Sequence, residues 1–166
     1  MEQAFEMRVP TRRVCDVTGI PNGMLGKWLH RGDLVTGQAE GKGKERSWTF
    51  HQTLEIATAF RLAKAGVSVP IACQAGGKIA HTGNDRRLPG LPILDHSKPR
   101  TIAAPTYVVV DGDRIRIMGA LSEFDGHVDN VSAFAALPYH RLFNLTCQRL
   151  DLDPLDVIEQ FVGKRA

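Results

Sequence analysis

The segment Thr18–Leu34, TGIPNGMLGKWLHRGDL, sets Asn22, Lys27, His30 and Arg31 among glycines, with Gly23 and Gly26 between them. Further on, GKGKER places Lys42, Lys44 and Arg46 in one short polar run, and Arg12 and Arg13 stand together before the segment. Lysine and arginine neutralise phosphate oxygens whatever the base sequence, whereas amides and imidazoles can exchange hydrogen bonds with base edges. The pattern therefore suggests contact with a polyanion. Arg12, Arg13, Lys27, Arg31, Lys42, Lys44 and Arg46 are the candidate phosphate partners. Asn22 and His30 are candidate base readers; a helix cap and a surface histidine are their plainer roles.

Other chemistry finds no support in the residues. Ser, His and Asp occur without a nucleophile signature, so no catalytic residue and no enzyme is expected. GKGKER lacks the spacing of a phosphate-binding loop, and the GGK at Gly76–Lys78 lacks a preceding strand, so no nucleotide cofactor is expected. Asp125, His127 and Asp129 fit no calcium-loop pattern and read as a polar loop. Cys15, Cys73 and Cys147 are odd in number and far apart, which favours three free thiols over a disulfide framework or a zinc site.

The cations need elements to position them. TRRVCDVT (Thr11–Thr18) has the periodicity of a helix, with Thr11 as N-cap and Gly19 as a left-handed stop. A second helix is expected from Pro21 to Arg31, ending at Gly32, with Leu25, Trp28 and Leu29 as its apolar stripe. Its glycines each cost about 0.5–1 kcal/mol relative to alanine. Burial of the tryptophan, roughly 1.5–3 kcal/mol, can offset that. Residues 36–48 form a polar, glycine-rich tip between short extended arms, a hairpin or wing. A third helix is expected from about His51 to Ala65, then a shorter one capped by Ser68 that breaks at Gly76-Gly77 or frays beyond them.

Residues 81–105 hold four prolines and two glycines and read as a linker or extended arm. Beyond them, TYVVVDGDRIRIMGA predicts a hairpin turning at Asp111-Gly112, with arginines alternating against isoleucines. Residues 130–150 read as helical with a break near Pro138. A final helix starts with Asp153 as N-cap and Pro154 in the first turn.

The chain has 166 residues and a net charge of +3, unevenly distributed. Residues 1–80 carry 11 Lys/Arg against 7 Asp/Glu, and the remainder 10 against 11. A basic N-terminal half with a near-neutral partner suits a polyanion-binding module with an appended domain. No apolar run spans a bilayer and the N-terminus lacks a signal-peptide core, so a cytoplasmic protein is expected.

Helix, glycine turn, helix, basic hairpin, helix is the order of a winged helix-turn-helix. Residues 11–80 resemble the MerR-type winged-helix DNA-binding domain in TRRVCDVTGIP, NGMLGKWLHRGDL, the wing closure RSWTF and the helix ending LAKAGVS. In that family an aromatic at the position of Trp28 is followed by a charged pair and glycine, here His30-Arg31-Gly32. An arginine just before an aromatic closes the wing, here Arg46 and Trp48. Gly26 stands where the family usually has arginine, and the family's coiled-coil dimerisation helix corresponds here to the Pro/Gly stretch.

The expectation is an α+β protein in three parts: a winged-helix domain (1–80), a linker (81–105) and a small C-terminal α/β domain with a β-hairpin and helices (106–166). The resemblance implies a double-stranded-DNA-binding transcriptional regulator of bacterial or phage type. It would be a homodimer, with a further protein partner conceivable through the C-terminal domain. The alternatives are an excisionase-like or small DNA-packaging protein on the same fold and, in another class, a protein-interaction or ligand-sensing module.

Overall fold

The computed structural model describes residues 4, 6–34, 46–84, 87–95, 97, 102–120 and 134–163, and mixes helix and sheet in an α+β arrangement. Strand β1 (Val9–Pro10) leads directly into α1 (Thr11–Thr18). Gly19 then turns the chain at φ +80°, its N–H donating to Cys15 O at 2.8 Å. That left-handed geometry excludes most side chains and ends the helix, as anticipated. After Pro21 follow α2 (Asn22–Arg31), closed by Gly32 at φ +74°, and then β2 (Ser47–Trp48), which pairs antiparallel with β1. The expected N-cap role of Thr11 is not seen. Pro10 holds that position, and Thr11 Oγ1 donates to Arg46 O at 2.8 Å while accepting from Trp48 Nε1 at 3.1 Å. The hydroxyl thereby fastens the start of α1 to β2.

Helix α3 (Phe50–Lys64) begins one residue earlier than expected because Thr49 and Gln52 form a capping box, each side chain bonding the other's backbone N–H. Helix α4 (Val69–His81) runs straight through Gly76-Gly77 instead of breaking there. The reason is the packing of α3 on α4: a Cβ at Gly76 would lie 2.5 Å from Glu55 O. Glycine is present for close helix approach, not for a turn. Glu55 itself is fully buried, with His81 Nε2 2.8 Å from its carboxylate.

The stretch expected to be a linker is packed over its described residues. Arg87 and Leu91 are buried, and β3 (Leu94–Asp95) pairs with β4 (Ile102–Ala103). Backbone polar groups freed by the prolines are taken up by side chains, Thr106 Oγ1 accepting from Ile93 N at 2.8 Å. Next come β5 (Tyr107–Asp111) and β6 (Arg114–Met118), joined in the anticipated hairpin. Asp111 faces Arg114, so the turn residues are Gly112 and Asp113, one position later than expected. Gly112 has φ +59°, as the first turn residue of a two-residue hairpin often requires.

The segment read as helix before Pro138 is in fact β7 (Ala135–Pro138), which flanks β5 on its other edge to give the order β6-β5-β7. Two alanines and a leucine carry no strong period, so the pairing edge of β5 decided their conformation. Helix α5 (Tyr139–Arg149) and helix α6 (Pro154–Gly163) complete the fold, with Asp153 Oδ1 accepting from Leu155 N at 2.8 Å as the expected cap.

A shared hydrophobic cluster joins Val14, Leu25 and Trp28 to Leu54 and Phe60 of α3, Val108 and Val110 of β5, Phe143 of α5 and Ile158 of α6. Phe50 meets Phe143 edge-on with ring centroids 6.1 Å apart. Helices from the two ends of the chain thus bury one another's apolar faces. Among the described residues, no helix is long and apolar enough to cross a membrane.

Candidate nucleic-acid interface

Helix α2 is held by one side only. Leu25 and Trp28 are buried, Leu29 is half-buried, and the Trp28 ring packs on Phe60 with centroids 6.5 Å apart. At roughly 100° per residue, Gly23, Gly26, Lys27, His30 and Arg31 occupy the half of the helix away from that stripe, while Asn22, seven residues before Leu29, lies nearly in line with its edge. All six are exposed. The structure therefore sets three of the candidate contacts (Lys27, His30 and Arg31) on one outer face, with Asn22 exposed at the start of the helix beside it. Asn22 is the first residue of α2 and not its cap; Pro21 holds that position, with its carbonyl accepting from Met24 and Leu25.

The glycines on this face divide into two kinds. Gly32 has a positive φ and terminates the helix, so the backbone demands it. Gly23 and Gly26 are helical, and a Cβ built on either meets nothing within 4 Å. Among the described residues no turn and no contact requires them, in contrast to Gly76. They weaken α2 by about 0.5–1 kcal/mol each relative to alanine with no return inside the protein.

The other candidates stand on other elements. Arg12 is exposed at the beginning of α1 and has no hydrogen bond or ion pair among the described residues. Arg46 is half-buried, its guanidinium carbon 5.5 Å from the centroid of the Trp48 ring, and its carbonyl is held by Thr11. Through that bond Arg12 and Arg46 belong to one corner of the molecule. Lys42 and Lys44 lie outside the described residues, as do the tip of the expected wing and Asp125, His127 and Asp129.

Arg13 departs from expectation. Its guanidinium donates to Arg149 O at 2.7 Å and to the Asp151 carboxylate at 2.9 Å, facing the end of α5 instead of solvent phosphate. Arg149 returns the link by donating to Val17 O at 2.7 Å. The packing of α5 along α1 puts a carbonyl and a carboxylate within reach of Arg13, a tertiary contact that spans 138 residues of sequence. The ion pair is exposed on both sides, so it contributes at most about 1 kcal/mol. No local signal in TRRVCDVT marks which of its two arginines pairs with the end of α5.

Compared with known proteins, the chain matches no family model and no curated sequence. The function is therefore argued from the site itself.

The thiols are poor nucleophiles. Burial pushes Cys73 and Cys147 each up to about 12, helped by the charges of Asp33 and Glu55 in the first case and Asp153 in the second. Burial, then Asp16, raises Cys15. Among the described residues, no group of three or more His, Cys, Asp and Glu side chains could hold a metal.

Proposed function

We propose that this chain binds double-stranded DNA as a winged helix-turn-helix regulator of bacterial or phage type. Helix α2 enters the major groove, and the basic stretch between α2 and β2 lies on the adjacent backbone. One observation carries the proposal: an outer helix face that combines Lys27, His30 and Arg31 with two glycines that no contact among the described residues requires. A groove about 12 Å wide admits a helix most deeply where its side chains are smallest, so glycine at Gly23 and Gly26 permits close backbone approach. Lys27 and Arg31, one turn apart on the same side of α2, then reach phosphates, and Asn22 and His30 face base edges. Arg12, near the N-terminus of α1, and Arg46, at the foot of the wing, add backbone contacts. Such a module buries only about 600–1,000 Å² of its surface, so two copies on repeated half-sites are needed for useful affinity.

The experiment is a fluorescence-anisotropy titration of duplex DNA at several salt concentrations, using sequences selected by the purified protein. With about six phosphate contacts per copy, affinity should fall by roughly 10³-fold between 50 and 200 mM salt. Lys27→Gln and Arg31→Gln should each lower the log–log salt slope by about 0.9 and weaken all sequences by similar factors. Salt-insensitive binding, or full affinity in the double variant, refutes the proposal.

A further inference from the structure

A second basic feature lies at the far end of α4. A cavity of about 490 Å³ opens between the last turn of α4, the turn that follows it and the edge strand β6. Its size falls within the range of small-molecule sites, roughly 300–1,000 Å³. Three cations line it, each from a different piece of chain: Lys78 from α4, Arg87 from the turn, and Arg116 from β6. Ile115 and Ile117 line it from one face of β6, Arg116 and Met118 from the other, so the cavity follows the strand's open edge, and no carboxylate is among the described lining residues.

Arg87 is the unusual member. It is only 3% exposed, and every acceptor around it is a main-chain carbonyl. One terminal nitrogen donates to Ile79 O at 2.8 Å, Leu88 O at 3.1 Å and Leu91 O at 3.3 Å, and the other donates to Thr82 O. Its Nε–H has no partner. A buried guanidinium is ordinarily matched by a carboxylate, because an uncompensated charge in a low-dielectric setting is costly. Here the carbonyls satisfy four contacts, yet among the described residues no carboxylate bonds the guanidinium. Lys78 reaches across the cavity to donate to Ile115 O at 2.7 Å, which uses one of its three donors. Low-dielectric walls around such charges concentrate the positive field inside the opening.

We infer that this cavity binds a small organic anion, a phosphate or carboxylate carrying an apolar body, held by Lys78, Arg87 and Arg116 along the open edge of β6. The anionic group compensates the Arg87 charge, and the apolar body covers Ile115, Ile117 and Met118. Because α4 and β6 form opposite walls, the occupant links the helical N-terminal part of the chain to the three-stranded sheet. The inference does not depend on DNA binding.

The test uses the full chain with three probes: phenyl phosphate, inorganic phosphate and benzyl alcohol. Binding is followed by calorimetry and by amide shifts of Gly83 and Ile117. Phenyl phosphate should bind saturably and more tightly than inorganic phosphate, and benzyl alcohol should leave the amides unmoved. Lys78→Gln and Arg116→Gln, both at solvent-accessible positions, should each weaken phenyl phosphate about tenfold or more, the loss expected for one charge-assisted contact. Arg87 is left intact because it ties four carbonyls together. No saturable binding of phenyl phosphate, equal response to benzyl alcohol, or binding that persists in both variants overturns the inference. So does a loss of duplex-DNA affinity in Lys78→Gln as large as in Lys27→Gln, since the cations would then form part of a polyanion surface.

Discussion

Replacing Gly23 and Gly26 together with alanine should move stability and DNA affinity in opposite directions. Both residues have helical backbone and open space where the new methyl groups would lie. Gly26, inside α2, should gain about 1 kcal/mol from the change, and Gly23, in the first turn, about 0.5 kcal/mol. For a chain of this length, a combined gain near 1.5 kcal/mol corresponds to a rise in Tm of roughly 3–6 °C. On DNA, each methyl would have to fit where backbone approaches groove or phosphate. Overpacking of that kind costs about 1–3 kcal/mol, so affinity should fall tenfold or more. Thermal unfolding by circular dichroism and anisotropy titration at one fixed salt concentration read the two effects separately. Gly32→Ala is the control: its φ of +74° makes alanine strained by about 1–2 kcal/mol, so that variant should lose stability. If the double variant melts lower than the parent, the account of the α2 backbone is incorrect. If it melts higher and binds DNA as before, the glycines have no role in contact with DNA.

Gly76→Ala should destabilise by about 1–3 kcal/mol, because its Cβ would press on Glu55 O in the α3–α4 contact; chemical denaturation measures this directly. Burial lowers the pKa of His51 below 6.5, and neighbouring His81 lowers it further, against the opposing bond to Pro89 O. The unfolded chain then binds more protons below pH 6.5, so the His51 contribution is complete above that pH and is lost as pH falls through the folded-state value. His51→Gln should flatten the fall in stability between pH 7 and pH 5.5 seen in urea titrations, and an unchanged slope would count against the assignment. Alkylation of the native protein at pH 8 should leave Cys73 and Cys147 unmodified, with both reacting once the chain is unfolded in denaturant.

The local punctuation of this chain was readable from residue types. Gly19 and Gly32 stop α1 and α2, Asp153 and Pro154 start α6, and the valine run Val108–Val110 with Asp111-Gly112 announces the β5–β6 hairpin. These are effects of backbone sterics and nearest-neighbour hydrogen bonds, so a few residues suffice to specify them. The stripe of Leu25, Trp28 and Leu29 likewise assigned the outer face of α2, and with it Lys27, His30 and Arg31, because helical period alone separates the two sides.

Tertiary structure decided what depends on a distant partner. Gly76 belongs in the middle of a helix only because Glu55 O passes beside it, and Ala135–Pro138 is a strand because β5 offers a free edge. Arg13 turns toward Asp151, while its neighbour Arg12 stays in solvent, through the packing of α5 on α1. The proline-rich stretch that reads as a linker is packed because Arg87 collects carbonyls from both sides of the turn. Residue type and spacing carry short-range preferences, but the environment that makes a glycine necessary or an arginine buried is assembled only when segments far apart in the chain close on one another.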